Sequence, residues 1–496
     1  MPPEPEDESD HALLAHVHPP EWRNPEPAPL YDLVVVGGGT AGLVCAAGAA
    51  GLGARVALVE RARLGGDCLH TGCVPSKALL RSARAVWEAR SGAASGVSAD
   101  PRVDFPAVMA RLRQRRMDLA PHDSAARFTS LGVDVFFGDA SFSDRRTVGV
   151  DGLSLRFRRA VIATGARPGT PPIPGLSETP YLSSDNLFAL TALPRSLVVL
   201  GAGPIGCEMA QAFALLGACV TLVDTSPRVL PRDDEDAGAI VARALERSGV
   251  RLLLGVRPER VARGTEGVTV SSAAGSVTAD ALLVATGRAP NIERLNLAAA
   301  GVGSGTSGVA VDDRLRTSNP RIYAAGDVCS PYRFTHAADA MARTVVQNAL
   351  FFGGKRAGAL IIPWCTFTSP EVAHVGGRIG TDPAPSAEAT ITVRLSEVDR
   401  SVVDDESDGF VRIHHVKGRI TGATIVAPHA GELIGHIAHL MRTGGTLSDL
   451  SATIVPYPTV AGALRRAGDA YRRGALTPRV RAWLSWYFRL MRRAGV

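Results

Sequence analysis

Lysine is scarce in this 496-residue sequence: of 54 basic residues only Lys77, Lys355 and Lys417 are lysines. A compact ammonium and a planar guanidinium are not interchangeable, so a chain that avoids lysine marks the few it keeps. Lys77 lies inside the most distinctive stretch of the sequence, and an ammonium is expected to be required there. Cysteine is also sparse, at seven. That excludes the disulfide framework of a small secreted fold and suits a reducing compartment in which any disulfide is catalytic. No apolar run reaches the ~18 residues of a membrane span. The acidic, proline-rich N-terminus does not read as a signal peptide, so a cytoplasmic location is expected.

What is present is a globular composition, 46% hydrophobic and 21% charged, with 52 glycines that suit an α/β protein full of tight turns. The length implies two to four domains. The net charge of +6 hides an asymmetry. Residues 1–30 carry seven acids and one arginine, whereas residues 471–496 carry seven arginines and no acid. The body is near neutral and lacks the basic stripe of a nucleic-acid-binding fold, so no nucleic-acid partner is expected.

Gly65 to Lys77 reads Gly-Gly-Asp-Cys-Leu-His-Thr-Gly-Cys-Val-Pro-Ser-Lys. On a regular helix Cys68 and Cys73 would sit about 140° apart around the axis, beyond the roughly 7 Å Cα separation a disulfide allows. A bridge needs a distorted turn, for which Gly65, Gly66 and Gly72 supply freedom and Pro75 limits the continuation. Unpaired core cysteines and half of a zinc site are the alternative readings; zinc lacks a second ligand pair at usable spacing. We read a redox-active pair at a helix start, where the positive dipole end favours a thiolate.

Two Gly-rich fingerprints follow the pattern strand, glycine turn, helix, strand, acid. The first has Leu33–Val36, then Gly37, Gly39 and Gly42, then Val56–Val59 ending in Glu60. The second has Leu197–Leu200, then Gly201, Gly203 and Gly206, then Val220–Val223 ending in Asp224. In each, glycines let a pyrophosphate approach a helix N-terminus and the acid can bind a ribose. Two fingerprints imply two dinucleotides. Asp224 favours the free 2′-hydroxyl of NADH over the phosphate of NADPH, although Arg228 is near enough to hold one.

With these residues in view, the chain resembles, over about residues 31 to 470, the class I pyridine nucleotide-disulfide oxidoreductases: flavoenzymes that include dihydrolipoyl dehydrogenase, glutathione reductase and mercuric reductase. The resemblance implies an α/β fold with two Rossmann-like dinucleotide-binding domains and an α+β C-terminal dimerisation domain. It assigns residues 30–180 and 295–358 to an FAD domain, 181–294 to an NAD(P) domain and 359–470 to dimerisation. Residues 1–29 are expected to be disordered and 471–496 to be a basic helical tail.

The resemblance further implies that NAD(P)H reduces FAD, which reduces a Cys68–Cys73 disulfide. Cys73 would touch the flavin and Cys68 would meet the acceptor, while Lys77 pairs with Glu208 beside the flavin. Thr164 and Gly165 match the family's first Ala-Thr-Gly element, Gly287 its second, and Gly326 and Asp327 the segment that holds the ribityl chain. His70 replaces the usual Asn and reads as a tolerated polar residue, with thiolate tuning or metal binding as alternatives. Cys365 replaces an aliphatic residue near the nicotinamide and reads as a small apolar packer, with a third redox thiol as the alternative.

Tyr457 stands where the thiol-reducing members carry a His, and Gly462 where they carry its Glu partner. A tyrosine of pKa near ~10 is a poor base, so efficient dithiol chemistry is disfavoured. Mercuric reductase also has Tyr here, so the chain reads as that branch, acting on a small-molecule or metal-ion acceptor as a homodimer. No cysteine follows Cys365, which departs from the mercury-loading pair of that enzyme. A dihydrolipoyl dehydrogenase and a membrane-surface flavin redox sensor or adaptor are the rival readings.

Elsewhere, Phe105 to Leu131 has helical spacing and many arginines, which suggests a solvated face. Strands are expected at Thr390–Leu395, Gly409–His414 and Ile420–Ile425, with a helix from Ala430 to about Arg442. Residues 478–493 form an amphipathic helix that would pack on its own dimer or dock on an anionic membrane. No resident metal is expected.

Overall fold

A computed structural model describes residues 8–377 and 389–493. Expectations for residues 1–7, 378–388 and 494–496 fall outside the described residues. Two compact units divide the chain: the described parts of Met1–Leu230 with Leu245–Leu360, and of Pro231–Ala244 with Ile361–Val496.

The first unit holds two parallel sheets of the same design. Tyr31–Val36 is central in one, flanked by Val56–Glu60 and Leu153–Ile162; Val133–Phe137 and Ile322–Ala324 extend it on either side, all in parallel. Its strands are near-continuous apolar runs because both faces are covered, one by helices and the other by the antiparallel strands Ala140–Asp144 and Thr147–Val150 with the segment 295–302. The second sheet places Ser196–Leu200 between Cys219–Asp224 and Ala281–Val284, with Val250–Leu254 outermost. A short antiparallel pair, Ala166–Pro168 with Arg288–Pro290, follows the two Ala-Thr-Gly segments. The α/β fold with two Rossmann-like modules is the architecture expected from the paired fingerprints.

The second unit is an antiparallel five-stranded sheet in the order Trp364–Thr366, Glu371–Gly376, Arg419–Ala427, Phe410–Val416, Ala389–Arg394. Helix Ala430–Thr443 packs against it. Three of these strands and the helix lie within a residue or two of the ends read from alternation and periodicity.

One expectation fails at the N-terminus, and a second, on the helix that packs there, holds only in part. Residues 8–29 are not disordered: Glu8–Val17 is a helix whose Leu13 and Val17 are buried in the core of the first unit. Beyond it, His18 stacks on Phe137 and Trp22 meets the same ring edge-on. The Asn24 amide exchanges two 2.8 Å hydrogen bonds with the backbone of Phe137. This closes the outer edge of Val133–Phe137, which would otherwise present unpaired backbone groups. The helix Phe105–Leu119 is a solvated arginine face only in part: Arg111 and Arg115 are exposed, whereas Arg113 and Arg116 turn inward. The Asp10 carboxylate accepts from the Arg116 guanidinium at 2.6 Å and lies 4.0 Å from Arg113. Arg116 is buried as a result. Acid content made this segment look unstructured, yet one acid is the counter-charge that lets two arginines turn inward.

Leu13→Ala should therefore cost about 2–4 kcal/mol, as for other buried leucines. The checks are an earlier first unfolding transition and faster amide hydrogen exchange across Phe105–Leu119. An unchanged exchange rate would return residues 8–29 to the status of a loose leader.

Candidate active site

The cysteine stretch is two helices separated by a break. Gly65 takes φ +100° and opens the short helix Gly66–His70, which carries Cys68. The chain turns at Thr71 and Gly72 and restarts as Cys73–Ser91. A Cβ on Gly72 would lie 2.8 Å from the Asp67 carbonyl oxygen and 3.5 Å from the Cys68 Cα. Any side chain there would push the two cysteine-bearing helices apart. The break thus supplies the distortion that a regular helix could not, and the Cys68 and Cys73 thiols come within hydrogen-bonding reach of each other.

Cys73 is the first residue of its helix and is exposed; its Sγ lies 3.2 Å from Thr335 Oγ1. Thr335 is itself the first residue of helix Thr335–Leu350. Two helix N-termini therefore converge on one sulfur, each favouring negative charge there. The hydrogen bond from Cys68 is the largest influence on Cys73 and lowers its pKa to about 6; Thr335 and the Lys77 charge act in the same direction. The Cys68 thiol is driven the other way, chiefly by donating to Cys73 and then by burial. In the dithiol the charge sits on Cys73 and the proton on Cys68.

Lys77, one turn after Cys73, bonds Glu208 at 2.9 Å. Glu208 is only 4% exposed, on the helix Pro204–Leu216, which is buried from Gly206 to its end. A carboxylate at that depth requires a partner, so Glu208 is not an ordinary helix acid. The pair joins the cysteine helix to the helix that opens the second fingerprint.

The two fingerprints match in geometry down to single hydrogen bonds. Gly37 and Gly201 have φ of +109° and +108°, and a Cβ on them would strike the carbonyls of Ala163 and Ala285 at 2.4 and 2.5 Å. Gly42 and Gly206 each lie where a Cβ would meet the carbonyl of the first glycine at 1.7 Å. Glu60 accepts from the amides of Gly38 and Ala62 at 2.6 and 2.7 Å. Asp224 accepts from those of Ala202 and Ser226 at 2.5 and 2.6 Å. A Cβ at Gly39 or Gly203 would meet no backbone or side-chain atom closer than 3.7 Å, so the helix N-termini are open to a phosphate. These cradles fit dinucleotides. Burial raises the Glu60 pKa against its two amide bonds, a carboxylate suited to sharing a ribose hydroxyl.

Thr164 and Gly165 end Leu153–Ile162 and its extension, and the Thr164 hydroxyl donates to the Asn291 carbonyl at 2.7 Å. Asn291 returns a bond to the Thr164 carbonyl at 3.0 Å, tying the two Ala-Thr-Gly segments together just beyond Gly287. Gly326, at φ +82°, is wedged where a Cβ would touch Ala41 and Ala338 at 3.3 and 3.5 Å. The following Asp327 has its pKa raised by burial and lies 3.5 Å from Arg288. Arg288 also ion-pairs with Asp67, next to Cys68. The wedge thus joins the first fingerprint helix, the Thr335 helix and the cysteine stretch.

Sequence reasoning missed Thr335, Asn291 and Arg288 as site residues, and Arg116 and Asp10 behind them. Only Arg288 stood beside a motif; the others have no local signal. His70 is buried and neutral, its pKa pushed down to about 4 by burial. Its Nε2 donates to the Leu64 carbonyl at 2.8 Å, and its own carbonyl accepts from Arg116 at 3.1 Å. It holds the loop between the cysteines from behind. Cys365 is partly buried among the packing residues of the second unit's core. Tyr457 is 81% exposed in that unit, and the neighbouring Asp399 carboxylate pushes its hydroxyl pKa further up. Among the described residues no three His, Cys, Asp or Glu side chains are grouped to hold a metal ion.

Comparison with known proteins agrees with this geometry. Residues 31–342 match the pyridine nucleotide-disulphide oxidoreductase family, and residues 362–467 match its dimerisation domain. The chain is 34% identical over 446 residues to the mercuric reductase of Lysinibacillus sphaericus, covering 88% of this chain and 82% of that one. It is 32% identical over 472 residues to dihydrolipoyl dehydrogenase 3 of Haloarcula marismortui, covering 90% and 97%. A Cu(II) complex of the HOCl-induced flavoprotein disulfide reductase RclA from Escherichia coli superimposes with a TM-score of 0.78 at 28% identity, over 88% of this chain and 98% of that one. With its two dinucleotide cradles, its paired thiols and its dimerisation domain, this chain belongs to the pyridine nucleotide-disulphide oxidoreductase family, a family of FAD-dependent enzymes that use NAD(P)H.

Proposed function

We propose that this flavoenzyme, working as a homodimer, passes electrons from NADH through a Cys68–Cys73 disulfide to a thiophilic metal ion of the Hg(II) or Cu(II) kind, in the manner of mercuric reductases. Bound FAD would accept the nicotinamide hydride and supply two electrons to the disulfide. The first fingerprint, with Thr164, Gly165, Gly326 and Asp327, would hold FAD; the second, with Gly287, would hold NADH. Lys77 and Glu208 would place one compensated charge between the two nucleotides.

The chain's own residues do the rest. Cys73 keeps the charge after reduction, because Thr335, Lys77 and two helix ends stabilise it. Cys68 keeps the proton and is the sulfur free to meet an acceptor. When both sulfurs ligate Hg(II) the Cys68 proton leaves to water; two electrons then pass to the metal, giving Hg(0), and the S–S bond re-forms, whereas two Cu(II) ions, each taking one electron, would be consumed per disulfide formed.

The observation that carries this reading is Tyr457. A dithiol substrate must be deprotonated by a base near neutral pH, and Tyr457 is exposed with its pKa raised still further by Asp399. Gly462, at the start of helix Gly462–Gly474, offers no carboxylate to assist it. A metal ion needs no such base, since a thiolate ligates it directly. The mercuric reductases among the relatives and the copper bound by RclA support an acceptor of this class.

The purified holoenzyme should accordingly oxidise NADH with Hg(II) or Cu(II) as acceptor, and lose at least ~100-fold in rate when Cys68 or Cys73 becomes Ser. Turnover of dihydrolipoamide on the order of tens per second would instead make it a dihydrolipoyl dehydrogenase.

The pH dependence follows from the lowered pKa of Cys73. The long-wavelength absorbance of a thiolate beside oxidised flavin should be full at pH 8 and fade as pH falls through about 6. Thr335→Val should move that midpoint upward, because one bond to the thiolate is gone. A midpoint near the ordinary thiol value of ~8.5 in the unaltered enzyme would remove the stabilised Cys73 from the mechanism.

For the nicotinamide, kcat/KM should favour NADH over NADPH by about 10-fold or more, since Asp224 would face the 2′-phosphate with like charge. Asp224→Ala should narrow the gap by weakening NADH. Equal use of both coenzymes by the unaltered enzyme would assign the dominant role to Arg228.

A further inference from the structure

The last helix, Pro478–Arg493, lies outside both segments that match the family. None of its residues is buried. Trp483, Trp486 and Phe488 are 59%, 53% and 55% exposed, far from the burial expected of aromatics in a folded unit. At helical spacing Val480, Trp483, Leu484, Tyr487, Phe488 and Met491 share one face; Arg489, Arg492 and Arg493 lie on the other with Trp486 beside them, and Arg479 and Arg481 flank the border. Among the described residues these arginines form no ion pair with an acid. Arg489 turns its guanidinium back on its own helix, donating to the Ser485 carbonyl at 3.3 Å.

We propose that this helix docks the enzyme on an anionic lipid bilayer, lying in the interface plane. The charge pattern chooses this occupant over a second copy of the chain. The chain's other amphipathic helices mix signs: Glu235–Arg247 carries Glu, Asp and Arg, and Gly462–Gly474 carries Asp469 among its arginines. Here the polar face has one sign only, and no acid occurs from residue 471 to the end of the sequence. A protein partner would need only the apolar face covered. A bilayer with acidic headgroups satisfies both faces at once, and tryptophan and tyrosine favour that interfacial depth. The helix is about 24 Å long, and no helix among the described residues is long and apolar enough to cross a membrane. It therefore lies on the surface rather than spanning. The inference does not depend on the acceptor proposed above.

The test is flotation of the full-length holoenzyme with phosphatidylcholine vesicles, with and without phosphatidylglycerol. The enzyme should float with the anionic vesicles only, and added salt should release it. Replacing Arg489, Arg492 and Arg493 together by Ala should lower partition on the order of 100-fold, from about five-fold per arginine. Trp483→Ala with Phe488→Ala should lower it about 10-fold or more. Truncation after Gly474 should abolish flotation and leave NADH-dependent turnover and the dimeric state unchanged. Three results would each overturn the proposal. They are flotation retained by the truncated enzyme, a truncated enzyme that becomes monomeric, and an aromatic double variant that binds as the unaltered chain does while heparin competes. The second would make the tail a subunit contact and the third a polyanion site.

Discussion

Cys73 occupies the first turn of one helix and touches the first residue of another, and most of the site can be derived from that meeting. For Cys73 to carry a thiolate at neutral pH, its pKa must be held well below the ordinary thiol value. No single neighbour of Cys73 supplies that. The Cys68 hydrogen bond lowers the pKa most and the Thr335 hydroxyl and Lys77 ammonium lower it further, while a helix N-terminus in general favours the same negative charge. The contributions add only if both helices start at the same place. Gly72 fixes one start by letting the chain double back within van der Waals contact of Asp67. Gly326 fixes the other by letting Ala338, in the Thr335 helix, pack close to Ala41 in the first fingerprint helix. The glycines that shape the nucleotide cradle and those that position the sulfur are therefore parts of one packing problem.

The internal duplication gives the chain two dinucleotide cradles of one design. Each fingerprint delivers a helix N-terminus, an acid and an Ala-Thr-Gly turn in the same arrangement. The copies then diverge where they meet the cysteine helix. In the second, Glu208 occupies the position that turns an otherwise apolar helix toward Lys77. In the first, the segment after Glu60 becomes the cysteine loop itself. An arginine at position 77 would be a poorer choice in so arginine-rich a chain. Its planar fork spreads the charge over three nitrogens, whereas an ammonium concentrates it near one carboxylate oxygen and, one helical turn back, one sulfur.

What was legible in the sequence is what local pattern encodes. The strands of both sheets are apolar runs ending in glycine or acid, and the antiparallel strands alternate, so their ends emerge within a residue or two. The cysteine turn was legible because its glycines are forced by close backbone approach. Thr335 was not, since its contact with Cys73 spans 262 residues of sequence and a lone Thr at a helix start is an ordinary cap. Asn291 was hidden for the same reason. The N-terminal helix was misread because composition averages over a whole segment, while Leu13, Val17 and Asp10 are three residues used at three specific places. A polar, acid-rich composition argues for disorder only when no neighbouring surface waits for the few apolar side chains it contains.

The two charged ends of the chain show how far that distinction reaches. The acidic end meets arginines in the fold: Asp10 neutralises Arg116, and Arg116 in turn holds the carbonyl of His70 between the two cysteines. Charge in a segment expected to be disordered is thus used inside the structure, behind the cysteine loop. The basic end has no such counterpart among the described residues, although the chain contains 48 acids with which arginines could have paired. A helix whose aromatics and arginines are both exposed within the chain presents an apolar face and a face of one charge sign together, the pairing that the proposed anionic interface would satisfy.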